Sequence, residues 1–363
     1  MTQRLYTPTE YQAQLNEKVA MFKQDFAEFA FPEPDIFESP EKHFRMRAEF
    51  RIWHKGPAST YCMFSDDEFK RAYDITDFPI GSELMNQLMT ELMAEINDNE
   101  TLRTKLYQID FLTTLSGQAL VSLIYHRKLD EEWTYIAREL QTRLNIFIIG
   151  RSKGQKIVVA QDFVIEQLNV DGKTFYYQQI ESGFTQPNGR VCEKMLAWAV
   201  IKSKSWGGDL IELYCGNGNF TLPLSQNFGR VLATELAKPS VKSALYNMQL
   251  NKITNVAIAR LSSEEFSQAI DNVRSFNRLE GIDLDTYKFT SIFVDPPRSG
   301  MDPHTTSITQ RYENIMYISC NPVTLRENLK TIVQTHDITN VALFDQFPYT
   351  HHLEVGVTLK KRT

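Results

Sequence analysis

The stretch Tyr317-Ile318-Ser319-Cys320-Asn321-Pro322 runs an apolar, strand-like segment into a cysteine and then an Asn-Pro helix start. A thiol at such a junction meets the positive end of a helix dipole, which favours the thiolate. Thiolates add to electron-poor carbon, so Cys320 is a candidate nucleophile. A lone cysteine at a strand end is more often a small buried hydrophobe, and the other residues of the chain must decide. A second group supplies a ligand site. Leu210-Ile211-Glu212-Leu213-Tyr214-Cys215-Gly216-Asn217-Gly218-Asn219-Phe220 is a buried strand entering a Gly-x-Gly turn and then a helix. Glycines there let the backbone approach a ligand beside a helix N-terminus. The third glycine of a pyrophosphate loop is missing, which weakens a nicotinamide or flavin reading. Glu235 ends the next strand, where a carboxylate accepts from ribose hydroxyls. An adenosine without pyrophosphate fits both features, so S-adenosylmethionine is the leading cofactor; a tight turn beside a charged strand end is the plainer alternative. Asp295-Pro296-Pro297-Arg298 closes a later strand, a place suited to a wall of the same pocket.

The elements that must position these groups are of two kinds. After residue 190, strand and helix alternate, as in a parallel sheet covered on both faces. Strands are predicted at 209–213, 231–235, 256–259, 291–295, 315–319, 341–345 and 353–359, with helices at 190–203, 220–226, 239–251, 263–278, 305–312 and 324–335. Before residue 180 the pattern is an amphipathic helix over 11–30, then strands at 44–53, 118–125, 145–149, 156–160 and 173–180, with helices after Ser82 and over 131–144. That succession predicts an antiparallel α+β domain. The expected architecture is therefore α/β overall: an α+β domain over 1–180 and a Rossmann-like domain with a mainly parallel sheet over 181–363.

A chain of 363 residues, 42% of them apolar, is large enough for two such cores. Its four cysteines, Cys62, Cys192, Cys215 and Cys320, lack disulfide or zinc spacing. His351, His352 and Glu354 could be taken for metal ligands, but no further ligand pattern supports them, and no metal is expected. The first thirty residues do not resemble a signal peptide and no apolar run is long enough for a bilayer, so a cytoplasmic protein with no membrane partner is expected. A net charge of −6 argues against a protein that coats nucleic acid non-specifically and leaves room for a local basic face. Strict alternation over Phe44–Trp53 supplies one: Phe44, Met46, Ala48, Phe50 and Ile52 on one side, and Arg45, Arg47, Arg51 and Trp53 on the other. Cations with an indole suit phosphate contact and base stacking; an ordinary solvated sheet face is the equal alternative. Tyr107, in a segment rich in aromatics, could stack on a base or belong to the core.

Four motifs together carry a resemblance. Glu212–Phe220, Phe293-Val294-Asp295-Pro296-Pro297-Arg298-Ser299-Gly300, Ile318–Pro322 and Phe344-Asp345-Gln346-Phe347-Pro348-Tyr349-Thr350-His351-His352-Leu353-Glu354 resemble the motif set of the RNA uracil-5-methyltransferases, and nearly the whole chain is similar to the bacterial branch acting on tRNA. Neither an added oligonucleotide-binding barrel nor the four cysteines of an iron–sulfur cluster is present, so the ribosomal-RNA branch fits less well. The resemblance implies methyl transfer from S-adenosylmethionine to C5 of a T-loop uridine in tRNA, giving 5-methyluridine, with rRNA or tmRNA as the alternative substrate. It implies Cys320 as the nucleophile at C6 and Glu354 as the base that removes the C5 proton. It places Gln186, Tyr214, Gly216, Gly218, Asn219, Glu235 and Asp295 at the methyl donor, and Arg298 and Tyr107 at the RNA. Arg45, Arg47 and Arg51 then become candidates for holding the T-arm. A monomer is expected.

Overall fold

The computed structural model describes residues 7–64 and 72–362. The chain forms two compact units, one of Met1–Ser39, Leu168–Gln178 and Arg190–Thr363, the other of Pro40–Gln167 and Gln179–Gly189. This division differs from a single cut near residue 180. The reason lies in the helix Pro8–Asp25, whose Phe22, together with the C-capping Phe26, belongs to the same apolar core as Leu343, Val355 and Tyr317. Burying each ring there contributes about 1.5–3 kcal/mol. The short strand Asp35–Phe37, absent from the sequence reading, pairs in parallel with His336–Phe344 and fixes the segment in the same unit.

The core of that unit is an eight-stranded sheet in the order Asp35–Phe37, His336–Phe344, Glu354–Lys361, Asn314–Ser319, Phe289–Val294, Asp209–Leu213, Val231–Thr234, Val256–Ala259. All pairs are parallel except the two made by Glu354–Lys361, which is antiparallel to both neighbours. Every residue of Asp209–Leu213, Val231–Thr234 and Asn314–Ser319 is buried, as expected for strands covered on both faces. Chain order runs outward from Asp209–Leu213 in one direction and returns on its other side at Phe289–Val294. Their carboxyl ends therefore border the crevice where open sheets bind ligands. The helix expected over 263–278 ends at Ile270, after a capping box of Ser262 with Glu265; Asn272 then takes a positive φ of 54°.

The other unit is a seven-stranded sheet in the order Ala72–Ile75, Ala58–Phe64, Arg47–Lys55, Leu106–Thr113, Ala119–Tyr125, Phe147–Ser152, Gln155–Val158. Its pairs are antiparallel apart from Ala119–Tyr125 with Phe147–Ser152. The helices Glu83–Asp98 and Glu131–Leu144 cover one face, and Ala48, Phe50 and Ile52 point into the core they close. Alternation then turns Arg47, Glu49, Arg51 and Trp53 to the opposite face.

Candidate active site

Leu213 leads into a turn in which Tyr214, Gly216 and Gly218 all have positive φ, of 63°, 57° and 85°. A Cβ on Gly216 would meet nothing within 4 Å, so it is backbone conformation, not space, that asks for glycine there. Glu235 accepts from the Gly216 amide at 3.0 Å and from the Ala237 amide at 2.7 Å. Two lone-pair directions of its carboxylate remain for a vicinal diol. The turn is fastened from outside by Asn247, a fully buried residue whose amide donates to the Asn217 carbonyl (2.9 Å) and accepts from the Gln178 amide (2.7 Å). Tyr214 donates its hydroxyl to Ser263 (2.9 Å), while the Asn219 side-chain amide lies 3.6 Å from Cys192 Sγ. A glycine turn with a carboxylate held beside it fits an adenosine-bearing donor. Gln186 belongs to the other unit, in its 179–189 segment.

Beneath the turn lies Glu212, 1% exposed, with Oε2 unpaired among the described residues; burial pushes its carboxyl up to about 8. Sequence reasoning treated Glu212 only as part of a motif. An acidic residue inside the doubly covered run Leu210-Ile211-Glu212-Leu213 was the signal available, since such positions are ordinarily apolar.

Strand register assembles the second group. Ser319 pairs with Val355 and Ile318 with Gly356 in antiparallel sense, which sets Cys320 alongside Glu354. Val294 pairs with Tyr317 and with Leu213, so Asp295 and Tyr214 leave the sheet at the same level. Asn321 caps the helix Pro322–Ile332 by accepting from Val323 (3.1 Å), and its amide donates to the Arg298 carbonyl (2.8 Å), tying the Asp295-Pro296-Pro297-Arg298 loop to the cysteine. The Arg298 guanidinium donates to His352 Nδ1 at 2.9 Å. His352 is thus engaged with a cation, and among the described residues no group of three or more His, Cys, Asp or Glu is placed to hold a metal.

The electrostatics correct one expectation. Burial, followed by the charges of Glu354 and Asp295, pushes the Cys320 thiol up to about 11, although Arg298 opposes them. The helix N-terminus alone does not give a thiolate here, because two carboxyl groups share the same desolvated corner. Burial likewise raises Glu354, 4% exposed, to about 8, with Asp295 adding to the effect, and raises Asp295 to about 7.

In the other unit the arginine face is only partly free. Arg45 donates to the Arg47 carbonyl at 2.8 Å and is depressed by burial, and Arg47 donates to the carbonyls of Gly183 (2.6 Å) and Glu181. The Arg47 guanidinium braces the 181–183 segment, while that of Arg45 turns back on its own strand. Arg51 lies 4.1 Å from the centroid of Tyr107, whose other neighbour is the stacked ring of His126 at 4.0 Å. Trp53 is exposed, with Lys55 over its ring at 4.5 Å. His126, unremarked in the sequence, is recruited by pairing of Leu106–Thr113 with Ala119–Tyr125.

A doubly wound sheet with a glycine turn, an acidic strand end and a cysteine–carboxylate pair at its ligand-binding edge defines a methyltransferase-type catalytic unit. A family model described as tRNA (Uracil-5-)-methyltransferase matches residues 10–362, and the chain belongs to that family. A Cellvibrio japonicus protein named tRNA/tmRNA (uracil-C(5))-methyltransferase is 60% identical, over 98% of this chain and 97% of its own. One of the same name from Vibrio parahaemolyticus is 56% identical over 98% of both. The fold is similar to the crystal structure of Pyrococcus abyssi tRNA (uracil-54, C5)-methyltransferase in complex with S-adenosyl-L-homocysteine, with TM-score 0.71 at 18% identity, covering 96% of this chain and 83% of that one.

Proposed function

We propose that this protein methylates C5 of a T-loop uridine in tRNA, with S-adenosylmethionine as donor and Cys320 as a covalent nucleophile. The observation that carries the reading is the register that sets Cys320 beside Glu354 at the edge bearing the glycine turn. The relatives' names favour the substrate, and because they include tmRNA, a uridine in tmRNA is a second reading.

C5 of uracil is a weak nucleophile. When the Cys320 sulfur adds to C6, the C5–C6 π pair moves toward O4 and makes C5 an enolate carbon. The donor supplies an electrophilic methyl group, held near the 214–219 turn by Glu235, Tyr214, Asn219 and Asp295, with Gln186 assigned to the same role by resemblance. Glu354 then removes the C5 proton; the double bond re-forms and the C6–S bond breaks with its electron pair on sulfur, returning the thiolate. A stacked uridine must first leave its helix, at a cost of a few kcal/mol. Arg51, Tyr107 and Arg298 are assigned to RNA contact, and Arg45 and Arg47 to shaping the surface beside it.

RNA carrying fluorine at uracil C5 tests the reading, since fluorine cannot leave as a cation and the C6–S bond persists. A denaturation-resistant protein–RNA adduct is expected, and it should be absent in Cys320→Ala. Normal methylation by Cys320→Ala would refute the covalent route.

A further inference from the structure

The Pro8–Asp25 helix carries Tyr11, Gln14, Leu15, Lys18 and Phe22 on one face. Leu15 and Phe22 are apolar, but the other three meet a single loop. Lys18, 6% exposed, donates to Asp345 Oδ1 at 2.6 Å and to the Phe347 carbonyl at 2.9 Å. Gln14 donates to Asp345 Oδ2 at 2.8 Å and accepts from the Tyr349 amide at 3.2 Å. Tyr11 accepts from the Ser39 amide at 2.7 Å, is raised by burial and then by the nearby Asp345 charge, and meets the Tyr349 ring edge-on at 6.1 Å. Asp345 is wholly buried, so its carboxylate depends on these donors for charge compensation.

The loop so held, residues 345–353, joins His336–Phe344 to Glu354–Lys361. Phe344 pairs with Glu354, so the anchored Asp345 adjoins one member of that pair and Leu353 the other. The same loop carries His352, whose ring meets Arg298, and Lys18 is near enough to His352 to help depress it. One buried cation from a helix far away in sequence therefore bonds the loop that leads into Glu354 and carries His352.

We propose that Lys18 is a positioning residue of the active site: through Asp345 and the Phe347 carbonyl it fixes the 345–353 loop, and thereby the placement of Glu354 and of the Arg298–His352 pair. The inference rests on the reading of Glu354 as the base. Misplacement of such a group by about an ångström costs roughly 10²-fold in rate, so a modest loosening has a kinetic signature.

Lys18→Met tests it directly, and Gln14→Ala is the milder variant, because it removes two hydrogen bonds without stranding a buried charge. Lys18→Arg keeps the cation. Each full-length variant is compared with wild type and with Glu354→Gln for steady-state kcat and KM, for the fraction held as covalent complex on ordinary tRNA, and for amide exchange in 345–353. Expected for Lys18→Met is a kcat lowered ten- to a hundred-fold, accumulated covalent complex as in Glu354→Gln, near-normal KM for tRNA and faster exchange in the loop. Gln14→Ala should shift the same way by a smaller factor, and Lys18→Arg should recover most of kcat. The proposal is overturned if Lys18→Met exchanges faster in the loop yet turns over normally. It is equally overturned if adduct formation on fluorinated RNA, donor affinity and melting temperature all fall together, the mark of a merely structural role. Wild-type turnover in Glu354→Gln would remove the base reading instead, a result independent of the exchange measurement.

Discussion

Glu354 stands against the ionisation of Cys320, and in the proposed route that opposition orders the steps. With the thiol near 11 and the carboxyl near 8, a negative charge on either disfavours the other. In the proposed route, forming the C6–S bond consumes the sulfur's charge, after which Glu354 is free to ionise and take the C5 proton. Two predictions belong here. Replacing Glu354 by Gln removes a group that raises the thiol, so the pH profile of Cys320 alkylation should move to lower pH, while Arg298→Ala should move it upward; an unmoved profile in Glu354→Gln would refute the coupling. The same Glu354→Gln variant should form the covalent complex yet release it about 10²–10⁴-fold more slowly, the usual range for a lost general base. Cys320 was legible in the sequence because a cysteine before Asn-Pro is a local pattern. Its raised thiol was not, since that depends on Glu354 and Asp295 arriving through strand pairing.

At the scale of elements, the 214–219 turn depends on a helix packed outside it. Asn247, in Lys238–Leu250, is the only side chain described as bonding both the Asn217 carbonyl and the Gln178 amide. Asn247→Ala should leave both backbone groups unpaired, costing about 1–3 kcal/mol each at worst and weakening donor binding roughly tenfold. Isothermal titration with S-adenosylhomocysteine checks this, and unchanged affinity would show the turn to be rigid without it. Most strands after residue 200 were legible because their periods and Gly/Pro boundaries are local, and Asp209–Leu213 and Val256–Ala259 fall where expected. The strands Asp35–Phe37, Ala58–Phe64, Ala72–Ile75, Leu106–Thr113 and Phe163–Val170 were not identified, the first being only three residues long and held by a partner some three hundred residues away. The arginine face was legible as alternation, but the diversion of Arg47 to backbone carbonyls was not, because it depends on where residues 181–183 return.

For the molecule as a whole, the buried carboxyls Glu212 and Glu354 and the half-buried Asp295 are held at about 8, 8 and 7. In the unfolded chain such groups titrate near 4, so between about pH 4 and 8 the folded state retains protons that the unfolded state has lost. Their contribution is intact below that window and is lost as pH rises through the folded values, so stability should fall toward alkaline pH by an amount on the order of a few kcal/mol. Glu212→Gln cannot ionise and should flatten the decline. Denaturant midpoints at pH 6 and pH 9 for both proteins test this, and equal slopes would dissociate Glu212 from the effect.

The antiparallel strand Glu354–Lys361 has a consequence for biosynthesis. It lies between Asn314–Ser319 and His336–Phe344, both of which precede it in sequence. While a growing chain has reached only residue 344, the sheet is divided by a missing strand, and two apolar edges stand open to pairing with other chains. Completing the sheet and delivering Glu354 to Cys320 are then one event. A ribosome-stalled fragment ending before Glu354 is accordingly expected to be prone to aggregation and unable to finish turnover, so that the proposed base arrives at the moment the sticky edges are lost.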